Sequence, residues 1–320
     1  MTKHTPRFIQ THRSDSGEER AAAIAGLQRS PAEASPKYFY DRLGSHLFDA
    51  ITELPEYYPT RAEASIFTAR GAEMAACAGR GATFIDLGAG NCEKAARLLP
   101  LLDAARYIAV DISADYLQEA LRRLQREHPA LDIVGVGMDF SQSPALPPGL
   151  VGDADRPVFF YPGSSIGNFT PAQARHFLAG VHAQARGGGL LIGVDLVKPV
   201  ALLEAAYDDA LGVTAAFNLN LLRNLNRAVG TDFDPRQWRH VALFDRARSR
   251  IEMHLEARQA LGVRWPGGGR AFAAGERLHT ENSYKYTVES FAALLAQAGF
   301  ARSRCWTAAD GGFAVYWAEA

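Results

Sequence analysis

Short apolar runs alternate with segments of helical periodicity between residues 62 and 200. The runs are nearly continuous in apolar residues, which is typical of strands buried on both faces of a parallel sheet. The predicted strands are residues 82–87, 106–111, 133–136, 157–161 and 189–197, and the predicted helices are residues 62–78, 93–102, 114–127 and 171–185. This alternation predicts a doubly wound α/β domain.

The segment before this domain follows a different pattern. Residues 1–61 are polar at first and then rich in aromatic side chains, and Pro36 and Pro59 interrupt them. Because proline is a strong local breaker, we expect short helices joined by loops here rather than strands.

The pattern changes again after residue 200. Residues 201–225 have a helical composition, whereas residues 241–255 alternate as a strand does. A helix over residues 286–299 and a hairpin within residues 304–318 are predicted to close the chain. The block between residues 201 and 285 therefore interrupts the α/β pattern as an insertion.

Two domains follow from this organisation. We expect an α/β domain built from residues 62–200 and 286–320, and a second, smaller α+β domain built from residues 1–61 and 201–285. We expect the ligand to contact residues of both domains.

Composition and charge exclude several classes of protein. The chain has a formal net charge of −1 over 320 residues and no Lys/Arg stripe, so a nucleic-acid partner is not expected. Its longest apolar run, GLLIGVDLV at residues 189–197, is far shorter than the ~20 residues that span a bilayer. Neither the three scattered cysteines nor the nine histidines have metal-ligand spacing. We expect a cytoplasmic protein with no membrane partner and no metal.

A glycine-rich turn follows the first predicted strand of the α/β domain. The sequence DLGAG at residues 86–90 ends a strand and opens a helix, so Gly88 and Gly90 allow a ligand to approach the backbone at a helix N-terminus. Asp111 ends the second strand, where a carboxylate accepts hydrogen bonds from ribose hydroxyls. Asp139 and Phe140 follow the third strand and are candidates for contacts with an adenine.

NAD and S-adenosylmethionine both suit this arrangement. The dinucleotide fingerprint requires a third glycine, and Glu93 stands at that position. A short G-x-G therefore favours a methyl donor, which has no pyrophosphate, over NAD. An oxidoreductase that uses NAD is the least favoured alternative.

Seven segments resemble one family, the histidine-specific, S-adenosylmethionine-dependent Nα-methyltransferases of ergothioneine biosynthesis. They are YFYDRLGSHLF (38–48), LPEYYPTRAE (54–63), GAGNCEK (88–94), GSSIGN (163–168), YDDALGVTAAFNLNLLRNLN (207–226), IEMH (251–254) and TENSYKY (280–286). The resemblance implies a Rossmann-like methyltransferase domain with a substrate-binding domain. It also implies three successive methyl transfers to the α-amino nitrogen of L-histidine, through its mono- and dimethyl forms, to give hercynine. We expect S-adenosylhomocysteine as the coproduct, no metal, and a monomer.

The resemblance also implies roles for individual residues. Those around the methyl donor would be Gly88, Gly90, Lys94, Asp111, Asp139 and Phe140. The amino and carboxylate end of the substrate would contact Tyr57, Gly163, Asn168 and Tyr207, and Tyr40 would lie near the amine. Glu281 and Ser283 would hold the imidazole, with Met253 packed beside it. Some family members have an apolar residue where this chain has Asn282.

These residue types suit the chemistry. Methyl transfer from a sulfonium is an in-line displacement, so positioning alone can supply roughly 7–11 kcal/mol of the barrier. The amide of Asn168 and the phenol of Tyr207 can donate hydrogen bonds to a carboxylate, and Glu281 can accept the imidazole N–H. Aromatic walls stabilise a growing ammonium through cation–π attraction. The sequence assigns no proton acceptor for the amine.

Three alternatives stay open at this point. The substrate could be another amino acid or amine, which Asn282 suggests. The chain could bind the cofactor without turnover, as an interaction module. Asn168 could instead cap the helix predicted to start at Pro171.

Overall fold

The computed structural model describes residues 4–11, 16–141, 144–152 and 155–320. The described residues form two compact units. The larger unit comprises Met1–His12, Pro59–Val197 and Lys285–Ala320, and the smaller unit comprises Arg13–Tyr58 and Lys198–Tyr284. The smaller unit thus contains the predicted insertion together with most of the N-terminal segment.

The strands and helices are numbered in chain order. The strands are β1 Arg7–Gln10, β2 Ala32–Glu33, β3 Thr83–Leu87, β4 Arg106–Asp111, β5 Asp132–Gly137, β6 Pro157–Tyr161, β7 Gly189–Asp195, β8 Trp238–Asp245, β9 Arg250–Ala257, β10 Leu261–Trp265, β11 Gly268–Phe272, β12 Arg277–Tyr284, β13 Arg302–Thr307 and β14 Phe313–Glu319. The helices are α1 Ser16–Gln28, α2 Arg42–Thr52, α3 Tyr58–Ala78, α4 Glu93–Leu102, α5 Ala114–Glu127, α6 Pro171–Gln184, α7 Val200–Ala205, α8 Val213–Val229 and α9 Val288–Gln297. Short 3₁₀ turns occupy Pro36–Phe39, Ser165–Asn168 and Pro235–Gln237.

An eight-stranded sheet organises the larger unit, in the order β1-β5-β4-β3-β6-β7-β14-β13. Strands β1 and β3–β7 pair in parallel, and β14 joins β7 antiparallel. The residues of β3 and β6 are all buried, which explains their continuous apolar runs. The predicted doubly wound α/β fold is confirmed, and so is its closing hairpin, β13–β14.

The strand order reverses beside β3. Strands β4 and β5 extend from one side of β3, whereas β6 and β7 extend from the other. In open α/β sheets, the carboxyl ends of the strands at such a reversal form a crevice where ligands bind. The DLGAG turn follows β3 and Asp111 ends β4, so both candidate features lie at this end of the sheet.

The N-terminal segment departs from the prediction. Helices α1 and α2 confirm part of the prediction for residues 1–61, but Arg7–Gln10 form β1, which pairs in parallel with β5, and Ala32–Glu33 form β2, which pairs in parallel with β12. Because β1 pairs with β5, residues 4–11 belong to the larger unit rather than to the smaller one. A four-residue strand, RFIQ, is too short to show a periodicity, so its pairing depends on the free edge that β5 offers.

The smaller unit has a four-stranded sheet in the order β2-β12-β9-β8. Helix α8 packs on one face of this sheet, where Phe217, Leu221 and Leu225 join a buried apolar cluster with Trp238 and Leu255. The predicted helix over 201–225 is in fact two helices, α7 and α8. The predicted strand over 241–255 is the hairpin β8–β9.

A bulge in β12 changes which side chains face α8. The register between β12 and β9 shifts between His279 and Glu281. Glu281 and Ser283 are consequently opposite Met253 and Ile251 of β9, on the same face as Leu278. Without the bulge, strict alternation would put Glu281 on the face opposite Leu278, because successive side chains of a strand point to opposite sides.

None of the helices in the described ranges combines the length and the apolar composition that crossing a bilayer requires.

Candidate functional site

The residues predicted to contact ligands fall into two groups, one in each unit. The larger unit carries Gly88, Gly90, Lys94, Asp111, Asp139, Phe140, Gly163 and Asn168. The smaller unit carries Tyr40, Tyr57, Tyr207, Met253, Glu281 and Ser283.

The glycine turn between β3 and α4 adopts left-handed backbone conformations. Gly88 has φ +73° and Gly90 has φ +52°, a region that residues with a Cβ rarely enter. The amides of Gly88 and Ala89 donate to the carbonyl oxygen of Val110 at 2.8 and 3.1 Å, which fastens the turn to β4. The turn therefore lies beside the carboxyl end of β4, as predicted.

Asp111 is bound to that turn. Its Oδ2 accepts from the amide of Gly90 at 2.9 Å, and its Oδ1 accepts from the amide of Ser113 at 2.8 Å. Burial raises the pKa of Asp111, and the same backbone amides partly offset this rise. The structure thus brings Gly88, Gly90 and Asp111 together at the strand ends.

Phe140 lies over the glycine turn, whereas Asp139 is engaged elsewhere. A Cβ at Gly88 would lie 3.4 Å from the Phe140 ring, which is an ordinary van der Waals contact, so the ring lies directly beside this turn. The Phe140 ring also packs edge-on against Tyr161 at 5.9 Å. The Oδ1 of Asp139 accepts from the amide of Ser141 at 3.0 Å. Its predicted contact with adenine stays a prediction.

Lys94 and Gly163 are joined by a residue that the sequence analysis did not single out. Lys94 Nζ donates to Glu63 Oε2 at 2.7 Å, and the amide of Gly163 donates to Glu63 Oε1 at 2.8 Å. The Glu63 side chain is 1% exposed, and it lies in the apolar stripe of α3 with Ile66 and Phe67. A charged residue in an apolar helical stripe was the signal that could have identified it.

Asn168 ends the 3₁₀ turn that follows β6 and is half-buried. It does not cap the next helix. Thr170 is the N-cap of α6, and it forms a capping box with Gln173. The capping alternative for Asn168 is therefore wrong, and its predicted contact with the substrate carboxylate is untested.

Asp86, the first residue of the DLGAG motif, is a buried acid. Its Oδ2 accepts from the Tyr107 hydroxyl at 2.7 Å, and its Oδ1 has no hydrogen-bond partner in the part of the chain that the structure describes. Burial raises the pKa of Asp86 from 3.8 to about 7. The folded protein thus retains a proton that the unfolded chain loses at lower pH.

This proton makes stability depend on pH. Below pH 3.8 the carboxyl is protonated in both states, and its contribution to stability is lost as the pH rises to about 7. An asparagine side chain does not titrate, so we expect Asp86→Asn to gain about 2.5 kcal/mol of unfolding free energy relative to the natural protein between pH 5 and pH 8. Urea denaturation at both pH values measures this gain. Asp115→Asn, at an exposed position of α5, controls for charge removal, and an equal difference at both pH values for Asp86→Asn would contradict the expectation.

A chain of aromatic rings links the tyrosines of the smaller unit. Tyr40 contacts Phe48 with ring centroids 6.0 Å apart, Phe48 contacts Tyr57 at 6.2 Å, and Tyr57 contacts Tyr207 at 6.4 Å. Phe217 of α8 packs against both Tyr40 and Phe48. The structure therefore brings Tyr40, Tyr57 and Tyr207 together. Phe48 and Phe217 lie within the sequence segments that carry the resemblance, but were assigned no role there.

The aromatic chain continues into the sheet of the smaller unit. The hydroxyl groups of Tyr207 and Ser283 are hydrogen-bonded at 2.7 Å. Glu281 lies on the same face of β12 as Ser283 and is opposite Met253 on β9. All three are largely buried, with exposed fractions of 8% for Glu281, 3% for Ser283 and 1% for Met253. A carboxylate, a hydroxyl and a thioether thus share one face, which is suited to a small polar ring.

Asn282 points away from this cluster. Its cross-strand neighbour is Glu252, on the face opposite Glu281 and Ser283, and its Oδ1 lies 3.1 Å from His279 Nε2. The Asn282 side chain, where some members of the resembling family have an apolar residue, therefore does not contribute to the face that carries Glu281. Simple alternation along β12 separates Asn282 from Glu281 and Ser283, whereas the bulge decides that Glu281 and Ser283 share the face of Leu278.

Comparison with known proteins gives a match to a family model and several similar relatives. The family model described as histidine-specific methyltransferase, SAM-dependent, matches residues 19–320. A histidine N-alpha-methyltransferase of Mycobacterium tuberculosis is 42% identical over 304 residues, which is 92% of this chain and 93% of that protein. One of Mycolicibacterium smegmatis is 42% identical over 94% of this chain and 95% of its own length. Ergothioneine biosynthesis protein 1 of Neurospora crassa is 31% identical over 87% of this chain, but only 32% of that protein is covered.

Proposed function

Because the chain belongs to the family of histidine-specific, S-adenosylmethionine-dependent methyltransferases, we propose that its larger unit holds the methyl donor and that its smaller unit recognises histidine. The chain is an enzyme that methylates the α-amino nitrogen of histidine, the reaction by which this family serves ergothioneine synthesis. The roles of individual residues are our proposal. The observation that carries it is the buried sheet face of Ser283, Glu281 and Met253, with the Tyr207 hydroxyl hydrogen-bonded to Ser283.

The residues of the larger unit fit S-adenosylmethionine. The left-handed turn at Gly88 and Gly90 exposes backbone beside Asp111, whose carboxylate suits ribose hydroxyls. Phe140 offers a ring above the turn for an adenine, with Asp139 next to it in the chain. Lys94 supplies a cation, held by Glu63, for the carboxylate of a methionine moiety. When bound, S-adenosylmethionine supplies an electrophilic methyl carbon.

The residues of the smaller unit fit histidine. Glu281 accepts one imidazole N–H, and the Ser283 hydroxyl contacts the other ring nitrogen as its tautomer requires. Met253 packs beside the imidazole ring of the substrate. The Tyr207 hydroxyl, which is hydrogen-bonded to Ser283, donates a hydrogen bond to the α-carboxylate of the substrate. For the same carboxylate we retain Tyr57 and, from the larger unit, Gly163 and Asn168 as proposed contacts. Buried polar groups of this kind reject analogues that leave them unpaired.

Tyr40 is proposed to lie near the reacting amine. Tyr40 and Phe48 present aromatic surface, and such surface attracts an ammonium as methyl groups replace its protons. This attraction supports continued binding of the mono- and dimethyl forms, and thus three transfers that end in hercynine. We propose that the enzyme needs no metal and acts as a cytoplasmic monomer.

A mass-resolved assay tests the proposal. Purified protein is incubated with S-adenosylmethionine and L-histidine, and the products are followed as masses that rise by one, two and three methyl groups. We expect trimethylhistidine to accumulate together with S-adenosylhomocysteine. A protein that binds S-adenosylhomocysteine but forms no methylated histidine would contradict the proposal.

Competition separates the alternative substrate from histidine. A panel of amino acids competes with histidine for labelled methyl groups from S-adenosylmethionine. We expect histidine to be preferred, because Asn282 does not share a face with Glu281 and Ser283. A clear preference for another amino acid or amine would overturn this expectation.

A further inference from the structure

A buried chain of hydrogen bonds adjoins the residues of the smaller unit that are proposed to recognise histidine, which are Tyr207, Met253, Glu281 and Ser283. His240 of β8 places its Nε2 2.7 Å from the backbone carbonyl oxygen of Tyr207, and its Nδ1 2.8 Å from Asn218 Nδ2. Asn218 Oδ1 in turn accepts from the Thr280 hydroxyl at 2.9 Å. Asn218 and Thr280 are 0% exposed. This chain of hydrogen bonds therefore runs from the backbone of Tyr207 to the bulge of β12.

Its hydrogen-bonding pattern allows one arrangement of protons. Asn218 Nδ2 can only donate, and it also donates to the carbonyl oxygen of His254 at 3.0 Å, so turning the amide over would set its Oδ1 against that carbonyl oxygen. The Nδ1 of His240 must then accept from Asn218, and its Nε2 must carry the proton. A carbonyl oxygen only accepts, so Nε2–H donates to Tyr207. His240 is a neutral imidazole in one defined tautomer.

The surroundings of His240 agree with this form. Burial lowers the pKa of His240, although the Tyr207 carbonyl and the carboxylates of Asp208 and Asp209 oppose the change. Its side chain is 3% exposed, and the Asp208 carboxylate is 4.0 Å away.

The two ends of this chain lead to residues proposed to bind histidine. At one end, the backbone of Tyr207 carries the phenol that bonds Ser283. At the other end, Thr280 immediately precedes Glu281, and its single hydroxyl proton is shared between Asn218 Oδ1 and the carbonyl oxygen of Met253, which lies 3.0 Å away. Tyr207 lies in the connection between α7 and α8, and among the described contacts its backbone carbonyl is tied to the sheet through His240.

We propose that His240 is a positioning residue for histidine recognition, which holds Tyr207 at a set distance from the strand that bears Glu281 and Ser283. This inference rests on the proposed function. The Nε2–H of His240 orders the Tyr207 segment before the substrate arrives, so that less freedom is lost when the substrate binds. Asn218 and Thr280 in turn orient the imidazole of His240. None of these three side chains needs to touch the substrate.

Two amide variants separate positioning from structural support. His240→Gln puts an amide N–H near the position of Nε2 and retains a donor for the Tyr207 carbonyl. His240→Asn puts an amide near the position of Nδ1, which retains the contact with Asn218 but leaves the Tyr207 carbonyl without its donor. Each variant keeps one of the two hydrogen bonds, so losses of thermal stability should be similar.

The measurement is a steady-state comparison of both variants with the natural protein. We expect His240→Asn to raise the KM for histidine about five- to tenfold, the scale of one lost hydrogen bond in a buried site. For His240→Gln we expect a rise of less than about threefold, because the donor is retained. The Kd for S-adenosylhomocysteine, measured by calorimetry, should not change in either variant.

The outcomes are distinguishable. If the natural protein methylates histidine and both variants raise the KM equally, or leave it unchanged, His240 does not position Tyr207. If either variant also weakens S-adenosylhomocysteine binding, its effect is a general loss of structure, which contradicts the inference as well. If the natural protein does not methylate histidine at all, the proposed function fails, and the role in histidine recognition that is inferred for His240 fails with it.

Discussion

Replacing Glu281 with alanine should raise the KM for histidine about ten- to a hundredfold and leave the affinity for S-adenosylhomocysteine nearly unchanged. The Glu281 carboxylate is 8% exposed and shares a face with Ser283 and Met253. A hydrogen bond to a charged group in such a site contributes about 1.5–3 kcal/mol, and its loss also leaves an imidazole N–H unpaired. Glu281→Gln should fall between alanine and the natural residue, because it keeps the acceptor but loses the charge.

The neighbouring residue supplies a matched control. Asn282 is adjacent in the chain, but its side chain points to the other face of β12 and contacts His279. Asn282→Ala should therefore change the KM for histidine less than about twofold. Initial rates at varied histidine concentration, with calorimetry for S-adenosylhomocysteine, provide both readouts. Equal losses for the two ligands in Glu281→Ala would mean that Glu281 supports the fold rather than recognition.

Replacing Lys285 with methionine should cost about 3–5 kcal/mol of unfolding free energy. Lys285 Nζ lies 2.7 Å from Asp195 Oδ2, and the two side chains are 0% and 1% exposed. Removing the cation leaves a fully buried carboxylate without its counter-charge, and the cost of burying that charge appears in full. Urea denaturation followed by circular dichroism measures the loss.

Two further variants show whether the effect is due to burial. The double variant Asp195→Asn with Lys285→Met removes both charges, so it should recover most of the lost stability. Arg302 and Glu319 form an ion pair in the same unit, but with side-chain exposures of 83% and 47%. Arg302→Met should change stability by less than about 1 kcal/mol. A loss for Lys285→Met as small as that for Arg302→Met would refute the expectation.

The Asp195–Lys285 ion pair lies where the polypeptide leaves the larger unit and returns to it. Asp195 ends β7 just before the chain leaves the larger unit, and Lys285 is the first residue after its return. The amide of Tyr286 donates to the Asp195 carbonyl oxygen at 3.2 Å, and the amide of Val197 donates to the Tyr286 carbonyl oxygen at 2.9 Å. The ion pair and these bonds together fasten the two crossing segments to each other within the larger unit.

Local sequence patterns predicted most of the larger unit. The helices Glu93–Leu102 and Ala114–Glu127 and the strands Arg106–Asp111 and Pro157–Tyr161 begin and end at the predicted residues. Each depends on periodicity and turn chemistry over a few adjacent residues. The pattern did not predict β1, because a four-residue edge strand depends on its partner rather than on its own composition.

The smaller unit was less predictable. Residues 201–225 read as one helix because their composition is helical throughout, yet Asp209 accepts from the amides of Val213 and Thr214 and so starts a separate helix. Hydrogen bonds of this kind compete with a continuing helix, and their outcome depends on where the preceding segment packs.

By itself, the sequence determined the class of fold, the glycine turn beside Asp111 and the family of the chain, because these depend on residue types at short, regular spacings. Only the tertiary structure decided which side chains meet. Tyr207 and Ser283 are 76 residues apart, and Asn218 and Thr280 are 62 apart. Glu63 joins Lys94 to Gly163, and one extra residue in β12 turns Glu281 toward Met253. Such contacts depend on strand register and on the packing of distant segments, which no local pattern encodes.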